Sequence, residues 1–312
     1  MKAAVVTNFN QAPTYQEFDA PIAKEGQVLI DVLAASVNQR VLSQANGSHY
    51  TSNHQLPLIP GIDGVGRTQA GQLVYFGATG PVYGALADQT VVDQRVILPL
   101  ADTVDPAVVA ATANPALSSY MAIKVRLGEA KIKNKKVMVL GATGNAGRLA
   151  VTISQYFGAK TVIGVGRNAA ELQASAADQT INLTDADLKS QLAAVSDVDV
   201  VLDYLWGDVT RQVMMGILTQ RHNHAQPLDW VEIGSLAGSE MAFPSAALRS
   251  TALTVLGSGQ GSLALPEMLG QFPGLLKLIE ADTLAVPVTT APLKTVHENW
   301  PTATTNRLVF RP

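Results

Sequence analysis

The sequence predicts an α/β protein of two domains, one an irregular β domain and the other built on a doubly wound parallel sheet. Up to about residue 100, short apolar runs alternate with turns rich in Gly, Pro and Asn, which is typical of an irregular β domain. Further along, apolar runs spaced about 15 to 30 residues apart alternate with helical segments, which indicates parallel strands joined by helices. A chain of 312 residues, 47% of them hydrophobic, is long enough to bury two cores.

Composition narrows the class of partner. The net charge is −3 and the basic residues are scattered, so we expect a small-molecule partner rather than nucleic acid or a membrane. Cysteine is absent, which excludes disulfides, thiolate nucleophiles and thiolate zinc sites, and we expect no metal. The N-terminus is typical of a short strand rather than a signal peptide, and no apolar run reaches the roughly eighteen residues of a membrane span. A soluble, cytoplasmic protein is therefore expected.

Turn residues delimit the elements of the first domain. The strands predicted there are Gln27–Val32, Gln72–Phe76 and Gln89–Val92. An Ala-rich helical stretch follows between Asp105 and Leu127. Pro115 within it is expected to bend or break the helix, because proline lacks a backbone N–H and its ring crowds the preceding turn.

The second domain is predicted from its apolar runs. Its strands are Lys136–Leu140, Lys160–Val165, Thr180–Asn182, Val198–Asp203, Leu228–Ile233 and Thr251–Leu256, with helices in most of the gaps. Because six strands complete such a sheet, the tail is expected to return to the first domain. The tail is predicted to form a helix near Leu265–Ala281, a strand near Val286–Thr290, a short helix at Leu293–Trp300 and a last strand Arg307–Arg311.

Three glycines stand between the first of these six strands and the next helix. Gly141 permits a tight turn, Gly144 lets the backbone approach a pyrophosphate, and Gly147 lets the helix pack closely on the strand. The amides that follow Gly144 would face the phosphates at the positive end of the helix. We call residues 141–147 the glycine turn; it predicts a dinucleotide site, and the alternative is a strand-to-helix turn without a ligand.

The end of the second strand indicates which dinucleotide is bound. A preference for NAD would place Asp or Glu there, about twenty residues past the turn. No acidic residue lies in Ile163–Asn168, whereas Arg167 is available to pair with a 2′-phosphate, so NADP(H) is favoured. The alternative for Arg167 is an exposed arginine that touches no ligand.

Short motifs follow one another along nearly the whole chain, at Ala35–Asn38, Gly47–Tyr50, Leu58–Gly64, Tyr83–Asp88, Ala116–Tyr120, Val200–Asp203, Glu232–Gly234, Leu256–Ser258 and Asn306–Val309. In this order they resemble the quinone oxidoreductase (zeta-crystallin-like) branch of the medium-chain dehydrogenase/reductase family. Each segment matches that family by motif position.

The resemblance implies a GroES-like irregular β-barrel catalytic domain over residues 1–116, completed by 258–312, and a Rossmann domain with a doubly wound parallel sheet over 117–257. It also implies that both zinc sites of the zinc-dependent relatives are absent, and that a homodimer forms through the last strand of the sheet. The predicted cofactor-binding residues are Ser118, Gly141, Thr143, Gly144, Asn145, Ala146, Gly166, Arg167, Asn168, Leu205, Gly234, Ser235, Ser258 and Arg307.

Asn38 and Tyr50 are the predicted catalytic hydrogen-bond donors, and Tyr83 and Trp206 are predicted to line the substrate pocket. The alternatives are a turn residue bonded to its own backbone for Asn38, an exposed loop aromatic for Tyr50, and packing residues for the other two. His49, beside Tyr50, is a candidate proton relay or an exposed loop residue.

Departures from the family motifs bear on the substrate. Val41 and Ala45 replace an acid and an arginine of the family pattern, and Tyr204 to Trp206 are bulky where the family has small residues.

Together these features predict an NADPH-dependent oxidoreductase that transfers hydride, without zinc, to a quinone or an α,β-unsaturated carbonyl compound. Such acceptors need only hydrogen-bond donors, whereas an unactivated ketone needs stronger polarisation. The alternatives are an NADPH-binding sensor or structural relative with little turnover, and a zinc-independent alcohol or ketone oxidoreductase.

Overall fold

A computed structural model describes the chain except at a few positions; the described residues are 1–49, 52–77, 79–259, 261–300 and 307–312. The chain divides into two compact units. The first unit comprises Met1–Asn114 and Pro273–Pro312, and the second comprises Pro115–Phe272. Residues 258–272, which the resemblance placed with the first domain, cluster with the second unit.

Strands are numbered in chain order. They are β1 (Lys2–Val5), β2 (Thr14–Glu17), β3 (Gln27–Ser36), β4 (Asp63–Thr68), β5 (Leu73–Gly77), β6 (Gln89–Asp93), β7 (Ile97–Pro99), β8 (Lys136–Leu140), β9 (Thr161–Gly166), β10 (Gln179–Asn182), β11 (Val200–Asp203), β12 (Leu228–Glu232), β13 (Leu253–Gly257), β14 (Val288–Pro292) and β15 (Arg307–Arg311).

Helices are numbered in the same way. The α-helices are α1 (Gln39–Ala45), α2 (Pro106–Met121), α3 (Asn145–Tyr156), α4 (Ala169–Gln173), α5 (Leu188–Ala194), α6 (Gly207–Gln220), α7 (Ser245–Ser250), α8 (Leu265–Glu280) and α9 (Val296–Asn299). A π-helical segment, Ala122–Leu127, follows α2 directly. Short 3₁₀ segments are Gln94–Val96, Glu129–Lys131 and Leu293–Thr295.

The sheet of the first unit is organised around β3, which pairs antiparallel with β4, β6 and β15. The long strand has three partners because β6 pairs with residues 27–31, β4 with residues 30–34 and β15 with Ala35 and Ser36. Its register with β4 shifts between Val32 and Ala34. The order is β14-β15-β3-β4-β5-β7, with β6 paired to β3, and β14 runs parallel to β15. The tail thus supplies two strands to this sheet, as the sequence predicted.

The sheet of the second unit is parallel throughout, in the order β10-β9-β8-β11-β12-β13. This is the doubly wound order, with the chain reversing direction across the sheet between β8 and β11. All six strands predicted from apolar runs are confirmed, with bounds within two residues of the prediction. The carboxyl ends of parallel strands lie at one edge, so the turn after β8 stands at the position where such sheets bind ligands.

Apolar side chains from both faces fill the core of the second unit. Met138 and Leu140 of β8 and the fully buried Trp230 of β12 pack against helix residues such as Val213 and Ile217. Each large apolar side chain that is fully buried contributes about 1.5–3 kcal/mol. The parallel strands are therefore continuous apolar runs rather than alternating ones, which is why the sequence shows them clearly.

Pro115 was expected to bend or break its helix, and it does not break it. Helix α2 continues through Pro115 to Met121. Small side chains of this helix, including Ala111, Ala113 and Ala116, are fully buried. Burial on this scale offsets the roughly 3 kcal/mol that an internal proline costs. Among the described residues, no helix is both long and apolar enough to cross a membrane.

Candidate functional site

The glycine turn is fixed to the neighbouring strand. The amides of Gly141 and Ala142 both donate to the carbonyl of Val165 in β9, over 2.9 and 3.0 Å. The amide of Gly144 donates back to the carbonyl of Gly141 over 3.1 Å, which closes the turn. Gly141 has φ +91°, a conformation that favours glycine.

The three glycines differ in what a side chain would meet. A Cβ at Gly147 would lie 2.1 Å from the carbonyl oxygen of Gly141, so the backbone of α3 touches the turn directly. A Cβ at Gly141 would lie 3.2 Å from Cδ2 of Leu205. At Gly144 the nearest atom would be 3.6 Å away, which is ordinary contact distance. Gly141 and Gly147 are therefore needed for packing, whereas Gly144 leaves the space beside the helix open.

The amino end of α3 is suited to an anion. Gly144 is the N-cap residue and supplies no side-chain hydrogen bond. The first amides of the helix, at Asn145 and Ala146, have no acceptor within the helix. The twelve-residue helix begins at Asn145, so its positive dipole end and these amides point to one place. Glycine at the N-cap thus leaves donors available that a polar side chain would otherwise occupy.

The carboxyl end of β9 lies beside the turn. A Cβ at Gly166 would be 2.6 Å from Cγ2 of Thr143, so these two predicted residues are in close contact. Arg167 is exposed and has no hydrogen bond or ion pair with any residue in the described part of the chain. The side chain of Asn168 caps α4 by accepting from the amide of Glu171 over 3.2 Å.

Glu171 is the first acidic residue after β9, and it forms an ion pair with Arg148 of α3. Arg148 therefore neutralises the carboxylate nearest in sequence to Arg167. This carboxylate therefore does not bind the guanidinium of Arg167.

Asp203, at the end of β11, fixes the loop that follows it. Its Oδ1 accepts from the amides of Leu205 (2.8 Å) and Trp206 (3.1 Å). Its Oδ2 accepts from Thr210 Oγ1 (2.7 Å) and from the indole Nε1 of Trp230 (2.9 Å). Trp206 is held at φ +53°, ψ −164°, a backbone conformation that costs about 1–3 kcal/mol outside glycine. The four hydrogen bonds to the buried Asp203 stabilise this strained residue.

The next two strand ends lie at the same edge of the sheet. The amide of Gly234 donates to the carbonyl of Asp203 over 3.2 Å, and the amide of Ser258 donates to the carbonyl of Glu232 over 2.8 Å. The predicted residues that the structure brings to this edge are Leu205, Gly234, Ser235 and Ser258.

Ser118 is joined to this edge by a tyrosine. Its hydroxyl donates to the carbonyl of Pro115 over 2.7 Å and lies 3.0 Å from the hydroxyl of Tyr204. Since Ser118 donates to Pro115, the Tyr204 hydroxyl donates to Ser118. Burial raises the pKa of Tyr204 to about 12, so the phenol stays neutral.

In the first unit, Asn38 is buried and caps α1. Its Oδ1 accepts from the amide of Val41 over 3.0 Å, and its Nδ2 donates to Oδ1 of Asn114 over 3.3 Å. The Asn38 side chain thus has a structural role at the start of α1. One of its two N–H groups has no partner among the described residues. Tyr50 lies outside the described residues, and Tyr83 packs edge-on against Phe18 with ring centroids 5.8 Å apart.

Arg307 is buried, and one of its amino groups donates to the carbonyl of Val37 over 3.2 Å. It belongs to the first unit together with Asp63, whose carboxylate accepts from the Tyr75 hydroxyl over 2.7 Å. Burial raises the pKa of Asp63 to about 6, against the lowering effects of the Tyr75 hydrogen bond and the charges of Arg307 and Arg40. The cofactor contact of Arg307 stays a prediction, and its side-chain hydrogen bond is to Val37 of its own unit.

A cavity of about 230 Å³ also lies in the first unit. It is lined in part by Arg40 and Gln44 of α1 and by His49. The sequence named His49 as a candidate but did not lead to Arg40 as a residue of this cavity. The available signal was that Arg40 is a charged residue in the short helix Gln39–Ala45, two positions after Asn38.

The described residues contain no cluster of three His, Cys, Asp or Glu side chains close enough to hold a metal ion. His222 and His224, two histidines one residue apart in the loop before β12, belong to no such cluster among the described residues. Nδ1 of His224 lies 2.9 Å from the Thr251 hydroxyl.

A doubly wound sheet with this glycine turn, together with an irregular β unit that the tail completes, is the architecture of the medium-chain dehydrogenase/reductases. No family model matches the chain. The chain is 28% identical over 347 aligned positions to tdiC of Emericella nidulans, named a probable NADPH-dependent quinone reductase, and the match covers 96% of each protein.

Solved structures share the fold. A quinone oxidoreductase from Thermus thermophilus, also solved in complex with NADPH, matches with a TM-score of 0.81 at 23% identity over 100% of each chain. A thermostable alcohol dehydrogenase from Pyrobaculum aerophilum matches with a TM-score of 0.79 at 21% identity, over 100% of this chain and 99% of the other. The match to tdiC confirms the resemblance to the quinone oxidoreductase branch that the motifs indicate, and the solved structures confirm the fold.

The glycine turn yields a paired prediction. Gly147→Ala forces a methyl group against the Gly141 carbonyl and should lower the free energy of unfolding by about 1–3 kcal/mol or more. Gly144→Ala has room for its methyl group, so its stability should fall by less than about 1 kcal/mol. That methyl group occupies the open space beside α3, so NADPH affinity should fall at least about tenfold. Urea unfolding and calorimetric titration measure the two effects, and unchanged NADPH affinity in Gly144→Ala would refute the assignment of that space.

Asp63 predicts a pH dependence of stability. In the folded state its pKa is about 6, above the ordinary 3.8, so between these values the folded chain keeps a proton that the unfolded chain loses. The stability contributed by this group is therefore complete below about pH 4 and is lost as the pH rises through 6. The loss amounts to about 3 kcal/mol, at about 1.36 kcal/mol per pKa unit.

Urea unfolding of the wild type and of Asp63→Asn at pH 4 to 7 measures this contribution. It is the difference between the two slopes of the free energy of unfolding against pH. The wild type should lose stability relative to the variant across this range. Asp19→Asn, which changes an exposed carboxylate, serves as the matched control. Parallel curves for the wild type and Asp63→Asn would contradict the raised pKa.

Proposed function

We propose that the chain is an NADPH-dependent oxidoreductase that transfers hydride, without zinc, to a quinone or an α,β-unsaturated carbonyl compound. The observation that carries the proposal is the glycine turn of the second unit. An uncapped helix end and an open Gly144 lie there next to Arg167, which pairs with no described residue. The name of the relative tdiC, a probable NADPH-dependent quinone reductase, supports the same cofactor and acceptor class.

The residues of the second unit fit NADPH. The amides of Asn145 and Ala146 would hold the pyrophosphate, and Gly144 would leave room for it. Arg167 would pair with the 2′-phosphate, a charge-assisted contact that NADH cannot make. The predicted residues Leu205, Gly234, Ser235 and Ser258, at the edge of the same sheet, would face the remainder of the cofactor.

When bound, NADPH supplies the hydride. The chain itself must orient the acceptor and polarise its oxygen. The sequence lacks cysteine and the described residues offer no metal-ligand cluster, so the donors would be N–H and O–H groups. The free N–H of Asn38 is one such donor, and Tyr50 is predicted to be another. Quinones and enals accept hydride with that degree of polarisation, which favours them over simple ketones.

One observation favours a second candidate, an NADPH-binding protein with little turnover. Val41 and Ala45 are buried in the first unit, at positions where the resembling family carries an acid and an arginine. Replacement of charged residues by core residues is compatible with a decayed substrate pocket, and it equally suits a changed substrate. A zinc-independent alcohol or ketone oxidoreductase is the remaining alternative.

Steady-state oxidation of NADPH against a panel of quinones and enals tests the proposal. We expect turnover with members of this panel and none above background with simple ketones. The value of kcat/KM for NADPH should fall about tenfold or more in Arg167→Ala and stay nearly unchanged for NADH, because only NADPH carries the 2′-phosphate.

Arg249→Ala is a matched control, since Arg249 hydrogen-bonds only to Ser245 among the described residues and lies in a different helix. Tight NADPH binding without turnover on any acceptor would favour the second candidate. Equal effects of Arg167→Ala on both cofactors would contradict the role given to the 2′-phosphate.

We also propose a homodimer formed through β13. This strand ends the sheet of the second unit, and its Val255 is 38% exposed. An edge strand with exposed apolar residues is prone to pair with another chain. Light scattering after gel filtration should give a dimer for the wild type and a monomer for Val255→Asp. Leu33→Asp changes an equally exposed strand residue of the first unit and should remain dimeric. A monomeric wild type would rule out this assembly.

A further inference from the structure

The cavity of the first unit is lined by groups that donate hydrogen bonds. Its volume is about 230 Å³, below the 300–1,000 Å³ usual for sites of drug-sized ligands. Arg40 and Gln44 reach it from α1, and His49, Ser52 and Asn53 reach it from the segment that follows. Among the described lining residues there is no Asp or Glu. The cavity therefore offers a positive charge without a carboxylate on its walls.

Arg40 has no partner of its own in the described part of the chain. It is only partly exposed, yet its guanidinium makes no hydrogen bond or ion pair there. Arg167, which the proposed function assigns to a phosphate, is the other arginine without a hydrogen bond or ion pair in the described part of the chain. The remaining arginines all hydrogen-bond or form ion pairs: Arg67, Arg95, Arg126, Arg148, Arg211, Arg221, Arg249, Arg307 and Arg311.

Gln44 and Ser52 on the cavity wall also carry N–H or O–H groups that bind no described residue. Gln44 uses its Oε1 to accept from the amide of Gly61 over 3.0 Å, which leaves its NH₂ group available. The Ser52 oxygen accepts from the amide of His54 over 3.3 Å, which leaves its O–H available. A ligand that only accepts hydrogen bonds, such as a carboxylate, would satisfy the guanidinium and both neutral groups together.

Nearby ionisable groups do not neutralise Arg40. Burial first, and then the charge of Arg40, lower the pKa of His49, so the imidazole is neutral at pH 7. Asp63 lies close enough for Arg40 to affect its pKa, but its carboxylate accepts from Tyr75 and lies near the charge of Arg307. The charge of Arg40 is thus left to act on a ligand.

We infer that this cavity binds the carboxylate of a small organic acid, held by the Arg40 guanidinium with Gln44 and Ser52 as additional donors. Its volume suits an acid with one ring or a short chain. The inference concerns the first unit alone and goes beyond the proposed function.

Binding of benzoate, measured by calorimetry or by NMR titration, tests the site without turnover. The wild type should bind benzoate more tightly than benzamide, which has the same ring but no charge. Arg40→Met should weaken benzoate binding at least about tenfold and leave benzamide unchanged, because a charge-assisted pair is lost. Arg67→Met, which removes an exposed arginine paired with Asp102, should leave both affinities unchanged.

Arg40→Lys keeps the charge and should retain most of the affinity for benzoate, which guards against a folding defect in Arg40→Met. His49 reports the location, because an anion beside Arg40 should raise the pKa of His49 as seen by NMR. Benzoate that binds Arg40→Met and the wild type equally, or binds without moving the His49 resonances, would overturn the inference.

Discussion

The backbone of α3 meets the carbonyl of Gly141 with no space for a side chain between them, and the rest of the second unit depends on this contact. It fixes the first helix against the first strand and directs the amides of Asn145 and Ala146 away from the sheet. The turn itself is held to β9 through the Val165 carbonyl. Because the chain reverses direction between β8 and β11, the helix end faces the crevice where doubly wound sheets bind ligands. One steric requirement thus produces both the packing of the unit and its anion site.

The charged residues divide into those that the fold satisfies and those that it leaves open. Asp203 is fully buried but accepts four hydrogen bonds, and it stabilises the strained Trp206. Burial of Asp63 raises its pKa by more than the Tyr75 hydroxyl and the nearby charge of Arg307 lower it. Arg40 and Arg167 make no pairs with described residues, one in each unit. Unsatisfied cations beside open space are where a folded protein has most to gain from an anionic ligand.

The sequence predicted the second unit closely and the first unit less well. Parallel strands buried on both faces are continuous apolar runs, so Lys136–Leu140 and its five companions were visible directly. The glycine turn was visible because sterics require glycine at Gly141 and Gly147. In the first unit, β3 has three partners and a shift in register, and no local pattern encodes which strands those are. The cavity beside Arg40 and the pairing of Arg148 with Glu171 likewise arise from residues brought together by folding. Pro115 does not break its helix, because burial of small side chains such as Ala111 and Ala116 overrides the local rule.

The central claim is that the glycine turn and Arg167 together hold the phosphates of NADPH. A crystal structure of the complex with NADP⁺ tests it most directly. The account predicts density for the pyrophosphate within hydrogen-bond distance of the Asn145 and Ala146 amides, and for the 2′-phosphate against the Arg167 guanidinium. A dinucleotide bound elsewhere, or one whose 2′-phosphate lies in solvent with Arg167 turned away, would contradict it.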